Sequence, residues 1–303
     1  MITLEIALER ILEKRRQPVI TEYELYVELR RLYQQGTYES QRVRIRKQTP
    51  TFTDYYRVTN RLIQNRVLRP DEDFSKGADY LPSQYKIFRI TAVSDGSADD
   101  VCALIDPFCY VSHLSAMQWH HLTNRFPDQL MLSTPAATLW RSQRDAKTAS
   151  DYGETKDGEQ LKTLEFINLP EKVRSRPVIR HETKYPSHYV ASREAFARIT
   201  KVGDTFEQTL DKPDWCGGMR HVLEVWDKHA KIFLEEIIAA IEKSARSIIK
   251  VRAGYILEER LGITDPRVEA WAQFAQRGGS RKLDPTTEYR PIYSEKWMIS
   301  LNV

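Results

Sequence analysis

Apolar residues recur at helical spacing three times within the first ninety positions. Leu4, Ala7, Leu8, Ile11 and Leu12 fall on one face of a helix predicted over 2–15, which Pro18 closes. Thr21 and Glu24 have the spacing of a capping box, so a second helix should run to about Tyr33, with Leu25, Leu29 and Leu32 inward and Gly36 as its stop. A third helix is predicted over 52–66. Tyr55, Tyr56, Thr59, Leu62 and Ile63 occupy much of one side, and Arg57, Asn60, Arg61 and Gln64 form a polar stripe on the other. Residues 67–69 and 85–90 then read as strands around a segment rich in turn residues.

Three helices followed by a β-hairpin is the winged helix-turn-helix plan. The polar segment 94–100, SDGSADD, marks a boundary, giving a reader domain over 1–95 and a second domain over 96–303. In the second domain short helices are predicted near 99–105, 113–122 and 135–147, and strands near 130–133, 162–169, 177–183 and 188–192. The polar stretch 142–160 reads as an exposed loop. Apolar positions around 219–226, 232–245 and 248–256 make the last third helical, and 297–303 reads as a closing strand. The expected class is therefore α+β, with a mixed α/β C-terminal domain behind the winged helix.

Charge sharpens this picture. The 303 residues carry 46 Lys+Arg against 42 Asp+Glu, but the excess is local. Residues 30–69 hold ten basic residues opposed only by Glu39 and Asp54, a net of +8. Such a field favours a polyanion. Within it, Arg42, Arg44 and Arg46 would share one side of an extended segment, with Lys47 beside them. Arg57, Asn60, Arg61 and Gln64 are the side-chain types that read guanine and adenine edges. The acidic 71–73 segment argues that the wing base avoids phosphates and leaves Lys76 as the wing contact. Double-stranded DNA is the partner these residues imply.

The chemistry of enzymes is harder to find. Cys102, Cys109 and Cys216 form no CxxC pair and read as reduced thiols, and there is neither a signal-peptide core nor an apolar run long enough for a membrane span, so a cytoplasmic protein is expected. Cys109, His113 and His120 lack a fourth ligand and standard spacing, so no metal is expected. The sequence carries no P-loop, GxSxG, HExxH or dinucleotide fingerprint, and no cofactor is implied. Asp99 and Asp100 follow Ser97 too closely for a nucleotidyltransferase metal site and read as helix-cap chemistry. Cys216 reads as structural. Glu235-Glu236 and Glu258-Glu259 point about 100° apart on a helix, which leaves the enzyme reading unsupported.

Four blocks together resemble the AbiEi family, the antitoxins of type IV toxin–antitoxin systems. YVSHLSAMQWHHL over 110–122, followed by Leu130–Thr134, is similar to the family's SH-x-SA…HGL block, although His121 stands where the family usually has Gly. TLDKPDWCGG over 209–218 resembles its D-x-x-x-x-P-x-x-x-GG block. RAGYILE over 252–258 resembles R-x-GYLLE, and 283–285 with 297–302 resemble its terminal strands. The resemblance covers roughly 105–303. It implies a promoter-binding winged-helix head acting on inverted repeats, an antitoxin domain, self-association and a cognate nucleotidyltransferase-like toxin encoded alongside. Within the blocks, Ser112, His113 and Ser115 suit a strand-to-helix junction, with capping by the serines. Pro213, Gly217 and Gly218 suit a helix break. Arg252 and Tyr255 share one side of a helix, where a buried Arg calls for a carboxylate partner. The alternative role for these positions is a surface that meets the toxin. The competing function is a stand-alone winged-helix transcriptional regulator without a toxin.

Overall fold

The computed structural model describes residues 1–75, 85–155, 157–192, 195–278 and 281–303. Helix α1 (Leu4–Arg15) starts at Thr3, whose hydroxyl accepts from Ile6 N–H, and ends where Arg16 turns to φ 54°. Strand β1 (Val19–Thr21) leads directly into α2 (Glu22–Gln35). The Thr21 hydroxyl caps α2 by accepting from Glu24 N–H at 3.2 Å. The return half of the expected capping box is absent. One Glu24 carboxyl oxygen is buried without a partner, and burial raises the group's pKa. Gly36, at φ 63°, ends α2.

A small hairpin follows, β2 (Thr37–Tyr38) and β3 (Gln41–Arg42), with Glu39 and Ser40 both at positive φ in its loop. Helix α3 (Phe52–Gln64) has a full capping box, in which Thr51 and Asp54 bond each other's backbone N–H. Strands β4 (Leu68–Pro70) and β5 (Ile87–Ile90) pair antiparallel, as the sequence suggests. The sequence gives no hint that β1 joins them. The sheet order β1-β5-β4, with Val19 opposite Arg89 and Leu68 opposite Ile90, completes a winged-helix arrangement.

The chain continues through α4 (Ala98–Ile105), β6 (Tyr110–Val111), α5 (His113–Trp119), β7 (Leu130–Pro135) and α6 (Ala137–Tyr152). Next come β8 (Lys172–Val173), β9 (Arg176–Thr183), β10 (Tyr189–Ala191), β11 (Arg198–Thr200) and α7 (Val202–Asp211). A 3-10 turn, Pro213–Cys216, leads to α8 (Met219–His229), α9 (Leu234–Lys243) and α10 (Ser247–Gly254). The backbone then runs on as a π-helix over Tyr255–Arg260, followed by α11 (Pro266–Ala270), β12 (Tyr293–Ser294) and β13 (Ile299–Ser300). The fold is α+β. Two of the expected elements are corrected. The predicted loop over 142–160 is helical as far as Tyr152, because Trp140 and Tyr152 give α6 a buried side. Residues 162–169 form no strand.

The chain divides into two compact units that are not the linear segments 1–95 and 96–303. The first joins 1–109 to 134–182 and 193–197; the second joins 110–133, 183–192 and 198–303. In the first unit Trp140, Tyr152 and Leu164 complete the same core as Leu8, Leu29, Val58, Leu62 and Phe88 of the winged helix. SDGSADD lies inside this unit as cap chemistry: Ser97 caps α4, and Asp100 accepts from Phe196 and Ala197 N–H at 2.7 and 2.8 Å.

Two guanidinium groups organise the first unit. Arg30 is 2% exposed. Its side chain donates to both Glu159 carboxylate oxygens, at 2.6 and 3.1 Å, and to the carbonyls of Tyr152 and Glu154. Hydrogen bonding to Glu159 raises its pKa further. Arg174 binds Asp71 and Asp73, each at 2.6 Å. The acidic 71–73 segment is thus an internal anion site for Arg174 rather than a device against phosphate. Arg174 and Ser175 turn β8 into β9 with φ of 50° and 63°.

In the second unit β10, β11, β6 and β7 lie side by side, antiparallel except for β11 with β6. The core is built on Phe206, Val222, Trp226, Ile237, Ile249, Ile256 and Trp297. Two glycines set its tightest contacts. A Cβ at Gly203 would stand 2.1 Å from the Glu236 carbonyl oxygen, and one at Gly254 would stand 2.1 Å from the Trp297 ring. Gly254 of the RAGYILE block is therefore the seat of the C-terminal tryptophan.

Replacing Arg30 by Leu removes the buried guanidinium that holds both Glu159 carboxylate oxygens and the Tyr152 and Glu154 carbonyls. The expected loss is about 3–5 kcal/mol, read as a lower urea midpoint at unchanged slope. An unchanged midpoint would show that the Arg30 bonds contribute nothing to stability.

Candidate nucleic-acid interface

Helix α3 sorts its side chains as its pattern demands. Tyr55, Val58, Thr59 and Leu62 are buried, Arg57, Arg61 and Gln64 are exposed, and Asn60 is half-buried on the same stripe. Carboxylates hold two of these groups. Arg57 lies 3.4 Å from Asp54, and Arg61 lies 3.1 Å from Glu5 of α1. Asp54 also takes Lys47 at 3.3 Å. Burial pushes the Asp54 pKa up, but the bonds from Thr51 and Lys47 outweigh it and leave the group below the usual carboxylate range.

In the arm before α3 only Gln41–Arg42 is strand, and Val43 adds a single bridge to Ile2. Ile45 N–H turns back to the Val43 carbonyl at 2.9 Å, and the chain bends from Arg46 onward, so the arm is not the extended segment the spacing suggests. Val43 is buried and donates to the Gly36 carbonyl at 2.9 Å. Ile2 N–H donates to the Arg42 carbonyl, and Arg44 N–H to the Ile2 carbonyl, each at 3.0 Å. With Val43 inward and Ile45 half-buried, Arg42, Arg44 and Arg46 are left exposed. Among the described residues none of these three pairs with a carboxylate. The same holds for Arg66, exposed just past the end of α3, which falls off the helical stripe and so escapes a spacing argument. Lys76 lies outside the described residues.

The positive field is therefore uneven. Arg30 is withdrawn into the interior, Arg31 pairs with Glu28 at 2.7 Å, and Arg69 with Glu72 at 3.0 Å. What remains for a polyanion is the arm, Arg66 and the weakly held α3 stripe. This arrangement supplies guanidinium donors for phosphates and Arg, Asn and Gln side chains for base edges.

The motif residues of the second unit make a different kind of cluster. Ser112 is buried and precedes α5 without capping it. Its hydroxyl oxygen accepts from Ser133 Oγ at 2.9 Å and lies 2.9 Å from His113 Nδ1. His113, at φ 51°, donates its N–H to Gln208 Oε1 at 2.8 Å and packs its ring edge-on to Trp215. Ser115 Oγ accepts from Met131 N–H at 2.9 Å, so both serines tie the strand β7 to α5. Pro213 opens the 3-10 turn, and Gly217 and Gly218 carry φ of 89° and 87° before α8. Arg252 is buried without the carboxylate expected of it. It donates to the carbonyls of Leu210 and Lys282 at 2.8 and 2.9 Å, at the negative end of α7, and burial lowers its pKa to about 10. Tyr255 is half-buried, and burial and Glu259 raise its pKa.

Other candidate groups are engaged in packing. Cys216 is buried, which pushes its thiol pKa up, and burial takes Cys102 to about 12. Glu258 accepts from the Trp297 indole at 3.0 Å, whereas Glu259 accepts from Ser294 at 2.7 Å. Among the described residues no group of three or more His, Cys, Asp or Glu is placed to hold a metal ion, and no helix is long and apolar enough to cross a membrane.

No family model and no curated protein matches the chain. Among solved structures it is similar to the RV2827C protein from Mycobacterium tuberculosis, with 12% sequence identity, 98% of this chain and 90% of that chain covered, and a TM-score of 0.45.

The arm and the stripe should separate in DNA-binding measurements. Changing Arg42, Arg44 and Arg46 together to Ala should weaken binding to any duplex and make the log–log salt dependence shallower by about 2–3; an unchanged slope removes the arm from the interface. Single changes of Arg57, Asn60, Arg61 or Gln64 to Ala should cost about 1–3 kcal/mol of discrimination per base contact, measured as the affinity ratio of operator to scrambled duplex. Unaltered ratios in all four variants would move base reading elsewhere.

Proposed function

We propose that this chain is a cytoplasmic, DNA-binding antitoxin that represses its own operon and counters a nucleotidyltransferase-like toxin encoded beside it. The observation that carries the DNA-binding part is the α3 stripe of exposed Arg57, Arg61 and Gln64 with half-buried Asn60, flanked by three arginines that make no ion pair among the described residues. Docking begins with attraction between the arm and promoter phosphates. Phosphate contacts then fix the register, and α3 enters the major groove to read inverted repeats. Repression follows from covering the promoter. The antitoxin part rests on the four blocks resembling AbiEi proteins, whose residues here build the interior of the second unit.

A reporter driven by the chain's own upstream DNA, together with co-expression of the adjacent gene, tests both parts. Wild type should silence the reporter and restore growth, and the Arg57→Ala, Asn60→Ala double variant should lose silencing. Silencing without rescue would leave a stand-alone regulator. Rescue with no binding to upstream DNA would remove the repressor role.

A further inference from the structure

The geometry points to a nucleotide-binding pocket in the second unit, formed at the C-terminal end of the chain by Arg277, Arg281, Tyr289, Tyr293 and Glu295. This site is independent of the promoter-binding reading and uses none of its residues. A cavity of about 600 Å³ is lined by these side chains together with Gly278, Met298 and Ser300. That volume suits a ligand of nucleotide size.

The backbone under the pocket is firmly tied. Ser300 N–H donates to the Arg281 carbonyl, and Leu283 N–H to the Ser300 carbonyl, each at 2.9 Å. Leu301 N–H donates to Ile292, and Tyr293 pairs with Ser300 across β12 and β13. The Ser300 hydroxyl is spent on Arg290, whose N–H and carbonyl it engages at 3.0 and 2.7 Å.

The lining side chains, by contrast, have functional groups to spare. Tyr289 and Tyr293 are 50% and 55% exposed. Among the described residues neither phenol is hydrogen-bonded, and Arg277 and Glu295 make no ion pair. Arg281 spends one guanidinium nitrogen on Gln276 at 3.1 Å, while its Nη1 is shielded from solvent and has no hydrogen-bond partner.

These groups match the parts of one ligand class. Tyrosine rings offer stacking faces for a base, and two guanidinium groups offer donors for a phosphate. Glu295 offers an acceptor for ribose hydroxyls or an exocyclic amine. The shared chemistry is one nucleotide unit, supplied either free or as the end of a single strand.

Calorimetric titration of the full chain with adenosine 5′-monophosphate, and separately with a 5′-phosphorylated single-stranded deca-deoxyadenylate, tests the assignment. At least one probe should bind with one-to-one stoichiometry. Tyr293→Ala and Arg281→Gln should each weaken that binding about tenfold, and Tyr293→Phe should retain it. Binding of the mononucleotide alone assigns a free nucleotide; much tighter binding of the oligonucleotide assigns a strand end. The assignment is overturned if neither probe binds at millimolar concentration. It is also overturned if oligonucleotide binding survives both pocket variants and disappears when Arg42, Arg44 and Arg46 are changed to Ala.

Discussion

A guanidinium group taken out of water must be given acceptors, and meeting that demand shapes both units. Arg30 and Arg174 recruit acceptors from distant parts of the chain: Glu159 with two carbonyls for the former, Asp71 and Asp73 for the latter. These bonds fasten Tyr152, Glu154, Glu159 and the β8–β9 turn into the winged-helix unit, which helps explain why that unit is not a continuous stretch of sequence. Arg252 solves the same problem with the carbonyls of Leu210 and Lys282. Breaking such a group from its acceptors costs several kcal/mol, so each fixes which segments belong together.

The same demand sorts the basic window between 30 and 69. Arg30 is consumed by the interior, and Arg31 and Arg69 lie beside carboxylates on their own segments. Arg42, Arg44 and Arg46 are left over: all three are exposed while Val43 between them is buried, and among the described residues none pairs with a carboxylate. A net charge counted along the sequence cannot distinguish these fates. Burial and pairing convert it into a usable field on one arm and one helix face.

Much of the winged helix is legible in the sequence because periodicity alone specifies it. The apolar face of α3 and its polar stripe emerge together from one 3.6-residue repeat, and the strands at 68–70 and 87–90 are bounded by turn residues. What escapes has a physical reason. The Glu39–Ser40 and Arg174–Ser175 turns use positive φ without Gly or Asn, so the usual hairpin signal is missing. At Arg174 the Asp71 and Asp73 bonds offset the backbone cost, a compensation visible only in three dimensions. The second half of helix α6, beyond the helix expected over 135–147, is too polar to look helical, since Trp140 and Tyr152 alone carry the inward side. The motif serines look like caps locally, but the neighbour that uses them is the strand β7, well away in sequence.

Pairing strength also separates the arginines that hold the fold from those that can exchange partners. Asp54 and Glu5 hold Arg57 and Arg61 at 3.4 and 3.1 Å, with both guanidinium groups more than half exposed. Exposed pairs of this kind are worth about 0–1 kcal/mol and are screened by salt, so a phosphate or a guanine edge can replace the carboxylate at little cost. Until then the carboxylates restrain the side chains near α3. A buried pair such as Arg30–Glu159 could not be exchanged in this way without opening the core. In the first unit the tightly held Arg30 and Arg174 therefore define the fold, and the loosely held Arg57 and Arg61 stay on the exposed side of α3.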